Sequence, residues 1–201
     1  MYVRTVDPDE ATGEIAVIYQ AEIASSGRVL EATRCWTARP DMLAPVEDLI
    51  HRIRDGFSLG LLDFRLVTFV AARFVPSSYC SHVYFRALSG MIGRDRALAV
   101  RRDYRDAGLD ERQVEMLAYT EKISRDASKI TEADIARLRD VGLSDLNIAD
   151  IALAASFRAF MSRYFDAVGA DVEADSLDDN PDVREEMSVG RKQPPPLTPS
   201  A

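Results

Sequence analysis

Apolar residues recur along this chain at spacings of three and four, the period of helices with one buried face. After a short extended "YVRTV", Asp7-Pro8 opens a predicted helix through "DEATGEIAVIYQAEIA" that stops at Ser26-Gly27. "VLEATRCWTARP" is a shorter helix ended by Pro40. Asp41 then opens "MLAPVEDLIHRIRDG", with Pro45 tolerated in the first turn and Gly56 as the stop. "LLDFRLVTFVAARFV" runs up to Pro76, and a further helix starts at Ser77 or Ser78 and reaches Gly90 or Gly93. "DRALAVRRDYRDAG" and "DERQVEMLAYTEKIS" are amphipathic helices, the second capped by Asp110. Thr131 and Asp134 stand at capping-box spacing at the head of "TEADIARLRDVG". "SDLNIADIALAASFRAFMSRYFDAVG" is apolar on more than one face, which marks a central helix. No segment alternates convincingly with period two and no glycine-rich phosphate loop occurs, so the expected fold class is all-α. A single helical domain is expected over residues 1–175. From 176 to 201 the polar composition and the proline-rich end "GRKQPPPLTPSA" predict an extension that is at least partly disordered.

Composition narrows the classes of function. A chain of 201 residues fits one domain and can bury a sizeable core without disulfides or metals. A formal net charge of −8 argues against nucleic acid as a partner and against docking on an anionic membrane. Cys35 and Cys80 are far apart and form no disulfide framework, which suits a reducing compartment. "MYVRTVDPDE" lacks the apolar core of a secretion signal, and Asp63, Arg65 and Arg73 interrupt the most apolar run. The expectation is a cytoplasmic protein with no membrane span.

One stretch concentrates chemistry: "SSYCSHVYF", residues 77 to 85. With the helix starting after Pro76, Cys80 lies in the first turn, where free N–H groups and the helix dipole favour an anion. Ser77, Cys80, Tyr84 and Ala87 share one face, while His82 points roughly opposite Cys80, so no Cys80–His82 dyad is expected. Geometry leaves two readings of Cys80, a reactive thiol or a small buried hydrophobe. His82 reads as a packed or interface residue, His51 as surface, and Trp36 as a core or interface anchor. The scattered histidines and cysteines give no ligand spacing for a metal. Arg65, a charge inside an apolar helix, needs a partner or water.

"RLVTFVAARFVPSSYCSHVYFRAL" resembles the core of the alkylhydroperoxidase AhpD / carboxymuconolactone decarboxylase family, in its peroxidase-related branch. The similarity extends to "RTVDPDEATGEIAVIY", to "LAYTEKISRDASKITEADIARLRDVGLSDLNIADIALAASFRAF" and to "VREEMSVGR", so it spans about Tyr2 to Arg191. It implies an AhpD-like helical fold with the cysteine-bearing helix near the centre, a homo-oligomer, a small-molecule substrate and no cofactor. The family's peroxidase chemistry uses a glutamate on the preceding helix, a C-x-x-C pair, and a histidine four residues after the second cysteine. That second cysteine attacks the peroxide, the first resolves it, and glutamate and histidine relay protons. Carried over by position, the attacking cysteine is Cys80, the resolving cysteine falls on Ser77, the histidine on Tyr84 and the glutamate on Arg65.

The departures change the chemistry. Ser77 cannot form a disulfide with Cys80, which closes the dithiol cycle. Tyr84 is a weak base near neutral pH, and Arg65 does not deprotonate in proteins. Arg65 could instead hold Cys80 as a thiolate or bind an anionic group. Three readings follow. The first is a repurposed small-molecule enzyme acting on an anionic or carbonyl-containing substrate around Arg65, Cys80 and Tyr84, with Ser77 as a further hydroxyl. The second is a one-cysteine hydroperoxide reductase using an external thiol. The third is a non-catalytic binding or assembly relative, in which Arg65 would sit in a structural ion pair.

Overall fold

A computed structural model describes residues 1–191. Among them there is no strand, and ten α-helices form the molecule. They are α1 (Gly13–Ser26), α2 (Glu31–Trp36), α3 (Leu43–Asp55), α4 (Gly60–Phe74), α5 (Ser78–Ile92), α6 (Arg94–Asp103), α7 (Glu111–Asp126), α8 (Glu132–Asp140), α9 (Asp145–Val168) and α10 (Pro181–Met187).

The all-α expectation holds, and local chemistry sets most helix ends. Gly27 and Gly169 end α1 and α9 at φ of 78° and 79°, a conformation that costs a residue without Cβ little. The Asp110 carboxylate accepts the Gln113 N–H at 2.7 Å at the head of α7. At the head of α8 the Asp134 carboxylate accepts the Thr131 N–H at 2.7 Å, closing the capping box. One start differs from expectation. Pro8–Glu10 makes a single 3-10 turn, and α1 begins only at Gly13, because Ala11 and Thr12 are extended.

At the centre α4 packs on α5, α7 and α9. Every residue from Leu66 to Ala72 is buried, so α4 is covered all round. Asp63, which broke the apolar run in sequence, is buried and receives Arg112 at 2.7 Å and Gln113 at 2.8 Å, tying α7 to α4. A second apolar cluster gathers Cys35, Trp36, Ala72, Tyr79, Cys80, Met161 and Phe165, with Trp36 stacked on Tyr164 at 3.9 Å.

The extension drawn from residue 176 does not begin as a detached tail. Asn180 caps α10 and Pro181 sits at its start, and the helix buries Val183 and Met187 in the main core. The proline-rich end, for which disorder is expected, lies outside the described residues. Among the described residues no helix is long and apolar enough to cross a membrane.

Candidate functional site

α5 begins at Ser78 with Ser77 as its N-cap, and the Ser77 hydroxyl accepts the Cys80 N–H at 3.4 Å. This fixes Cys80 in the first turn and Tyr84 one turn later on the same face. Cys80 is a free thiol with no solvent exposure. Ser77 is equally buried and is not among the residues lining the cavity described below; burial pushes the Asp166 carboxyl up while Ser77 pulls it back down. Ser77 therefore holds the helix start and does not line a ligand space.

A cavity of about 640 Å³ opens between α1, α3, α4, α5 and α9. Arg65, Tyr84 and Arg158 line it from α4, α5 and α9, and Glu22, Glu47 and Arg54 line it from α1 and α3. Of the sequence-derived set, Arg65 and Tyr84 meet here, the Arg65 guanidinium lying 5.5 Å from the Tyr84 ring centroid. Arg65 stacks also on Phe64 at 5.9 Å, and among the described residues it forms no ion pair.

The cation against the thiol is a different one. Arg158, on α9, is 5 % exposed, and its Nη1 lies 3.6 Å from Cys80 Sγ. Its Nη2 donates to the Tyr84 hydroxyl, and its guanidinium carbon lies 4.3 Å from the Tyr84 ring centroid. Among the described residues no carboxylate pairs with it, and its Nε has no hydrogen-bond partner. Burial works against its charge, but Tyr84 and Cys80 outweigh that and hold it above the usual arginine value. Of the two roles open to Arg65, contact with Cys80 falls instead to Arg158, because α9 packs against the first turns of α5, and Arg65 is left lining the cavity.

Two functional candidates escaped the sequence. Arg158 carried the same signal that singled out Arg65, a lone charge inside an apolar helix. Glu47 carried none, since "VEDLIHRIRD" reads as an ordinary amphipathic surface helix. His82 is buried away from the cavity, its Nε2 3.3 Å from the Ser188 hydroxyl. His51 is exposed, as expected, and is among the residues lining the cavity. Cys35 shares the apolar cluster of Cys80, and burial, with Glu31 and Glu173 nearby, pushes its thiol up to about 12. Among the described residues no group of three or more His, Cys, Asp or Glu side chains is placed to hold a metal ion.

No family model matches the chain, and no curated protein does. Solved structures do. An uncharacterized peroxidase-related protein from Silicibacter sp. TM1040 superposes with a TM-score of 0.78 at 23% identity, over 86% of this chain and 93% of that one. The debrominase Bmp8 matches with a TM-score of 0.74 at 14% identity, over 91% and 96%. A cysteine-to-alanine variant of Bmp8 in complex with 2,3,4-tribromopyrrole matches equally, at 15% identity over 88% and 94%. An alkylhydroperoxidase AhpD core protein, a peroxidase-related protein from Ralstonia eutropha JMP134, matches with a TM-score of 0.76 at 20% identity, over 87% and 93%. The fold of this chain is the AhpD-like helical fold of these peroxidase-related structures.

Proposed function

We propose that this protein is a small-molecule enzyme whose cavity binds an anionic or carbonyl-containing substrate through Arg65, Arg158 and Tyr84, with the buried Cys80 thiol behind Arg158. The observation that carries this reading is the buried guanidinium of Arg158 with no carboxylate partner among the described residues. Burying a cation is costly unless an anion comes to it, and a cavity faces this one. Tyr84 accepts a hydrogen bond from Arg158, so its own O–H remains free to donate to a ligand oxygen. A neighbour of the same fold is a debrominase that binds a halogenated pyrrole, which supports small-molecule chemistry on this scaffold. The lack of an ion pair to Arg65 among the described residues weighs against a purely structural relative.

Calorimetric titration of benzoate and of 2,3,4-tribromopyrrole into the wild type, Arg65→Ala and Tyr84→Phe tests the reading. The expected result is binding by the wild type and about tenfold weaker binding by each variant, a difference near 1.4 kcal/mol. Unchanged affinity in both variants, or no binding by the wild type, overturns it.

A second reading, hydroperoxide reduction by Cys80 with an external thiol, is favoured by the contact between Cys80 and Arg158, which sets a guanidinium against the sulfur. Intact mass after stoichiometric peroxide, beside Cys80→Ser, separates the two: a sulfenic or thiol adduct at Cys80 with peroxide consumed supports reduction, and no adduct excludes it.

A further inference from the structure

The charged groups lining the cavity divide into those that are satisfied and those that are not. Glu22, on α1, accepts from the Thr33 hydroxyl at 2.7 Å and the Leu30 N–H at 3.0 Å. Arg54, on α3, is held by Asp55 through bonds of 2.7 and 3.2 Å. His51 is exposed to solvent. That leaves Arg65 on α4, Arg158 on α9 and Glu47 on α3, all without an ion-pair partner among the described residues. Glu47, Ile50, His51 and Arg54 stand at helical spacing on one face of α3, and that face is the cavity wall.

We propose that Glu47 is the proton donor and acceptor of this cavity, and that the ligand it serves is a weak acid held with one exchangeable proton between them. The ligand's acidic atom faces the arginines and Tyr84. When it binds as the neutral acid, its proton passes to a Glu47 carboxylate oxygen, leaving the ligand's electron pair as an anion for Arg65 and Arg158. In reverse, Glu47 returns the proton to the atom on which negative charge has built up. Glu47 suits this role because it is half-buried and has no hydrogen bond or ion pair among the described residues to hold it ionised. Burial, then the Glu22 charge, push its carboxyl up to about 7 against the opposing pull of Arg54, so both forms are populated near neutrality. The other titratable and charged groups lining the cavity are His51 and Arg54 on its own helix and Glu22, Arg65, Tyr79, Tyr84 and Arg158 from the others.

The inference rests on the reading of this cavity as an anion site, and benzoate tests the two separately, because its carboxylate stays ionised throughout the range used. In the wild type, an anion binds the protonated form of Glu47 more tightly. Affinity is expected to fall about fivefold to tenfold as pH rises from about 6 to 8, and binding at the upper end to take up about one proton. Calorimetry in buffers of different ionisation enthalpy measures that uptake. Glu47→Gln is expected to bind at every pH with neither the fall nor the uptake. A titration of the Glu47 carboxyl carbon by NMR, assigned by its loss in Glu47→Gln, is expected near neutrality in the ligand-free protein. Wild-type affinity that does not change with pH, an identical profile in Glu47→Gln, or a carboxyl titrating in the ordinary acidic range overturns the assignment of Glu47. Failure of benzoate to bind the wild type at any pH overturns the anion-site reading and the inference with it.

Discussion

Arg158 Nη1 and Cys80 Sγ lie 3.6 Å apart, and among the described residues neither has an ion-pair partner. The thiol is fully buried and the guanidinium nearly so. A salt bridge between folded elements would have closed this arrangement into a structural one. Instead the cation faces a cavity, and the groups it touches are a thiol and a phenol that are neutral in their ordinary forms.

This predicts opposite effects on stability and on binding. Arg158→Met fills the same space without a buried charge and is expected to stabilise the fold by about 1–2 kcal/mol, measured by urea unfolding. The same variant is expected to bind benzoate at least about tenfold more weakly. If Arg158 were part of the scaffold, its loss would destabilise the protein by several kcal/mol, and that outcome would contradict a ligand-facing role.

Cys35 is expected to take no part in thiol chemistry. It lies in the same apolar cluster as Cys80, but its thiol, pushed up to about 12, is almost wholly protonated at neutral pH and is a poor nucleophile. After peroxide treatment, peptide mapping without reductant is expected to find no Cys35–Cys80 disulfide, and Cys35→Ser to leave the behaviour of Cys80 unchanged. A disulfide between them would make Cys35 a resolving residue after all.

The residues that could be read from sequence are those whose role is local. Asp110, Thr131 with Asp134, and Gly27 act on backbone groups a few residues away, and the structure has each doing so. The start of α5 and the shared face of Cys80 and Tyr84 are of the same kind. The cavity is different in nature, because it depends on which helices cross. Arg65 and Arg158 look alike in sequence, each a charge within an apolar helix, and only the crossing of α9 over α5 decides that the second meets the thiol. Ser77 shares the Cys80 face, yet its hydroxyl caps the helix start and it does not line the cavity. Glu47 is legible only once α3 is known to wall the cavity.

His82 makes the fold sensitive to acid. It is 1 % exposed, and burial, with Arg184 nearby, pushes it down to about 4 against the opposing pull of Asp178. Its Nδ1 has no hydrogen-bond partner among the described residues. The unfolded chain binds a proton at His82 near pH 6.5 while the folded one resists until about 4, so stability is lost as pH falls through that window. The loss amounts to up to about 3 kcal/mol. Glu47 acts with the opposite slope, since a raised carboxyl stabilises the fold at low pH and loses that contribution as pH rises towards about 7. Comparing urea unfolding of the wild type with His82→Gln from neutral pH to pH 4 isolates the histidine: the variant is expected to lose less stability on acidification. Parallel curves would mean that His82 is not held neutral.

The end of the described chain bears on the cysteine helix through Gly190. Its N–H donates to the Ser78 hydroxyl at 3.0 Å, and a Cβ placed on it would stand 2.0 Å from the Pro76 carbonyl oxygen. Pro76 precedes Ser77, the cap that sets the first turn and hence the position of Cys80. Both colliding groups are backbone or attached to it, so no side chain can swing away to make room. Gly190→Ala is therefore expected to destabilise the fold by about 2 kcal/mol or more by urea unfolding, and to weaken benzoate binding by shifting the start of α5. Ser188→Ala, which removes a hydroxyl near His82 without adding bulk, is expected to cost only about 1 kcal/mol. Equal, small effects from both substitutions would show that the segment after α10 does not hold the cysteine helix in place.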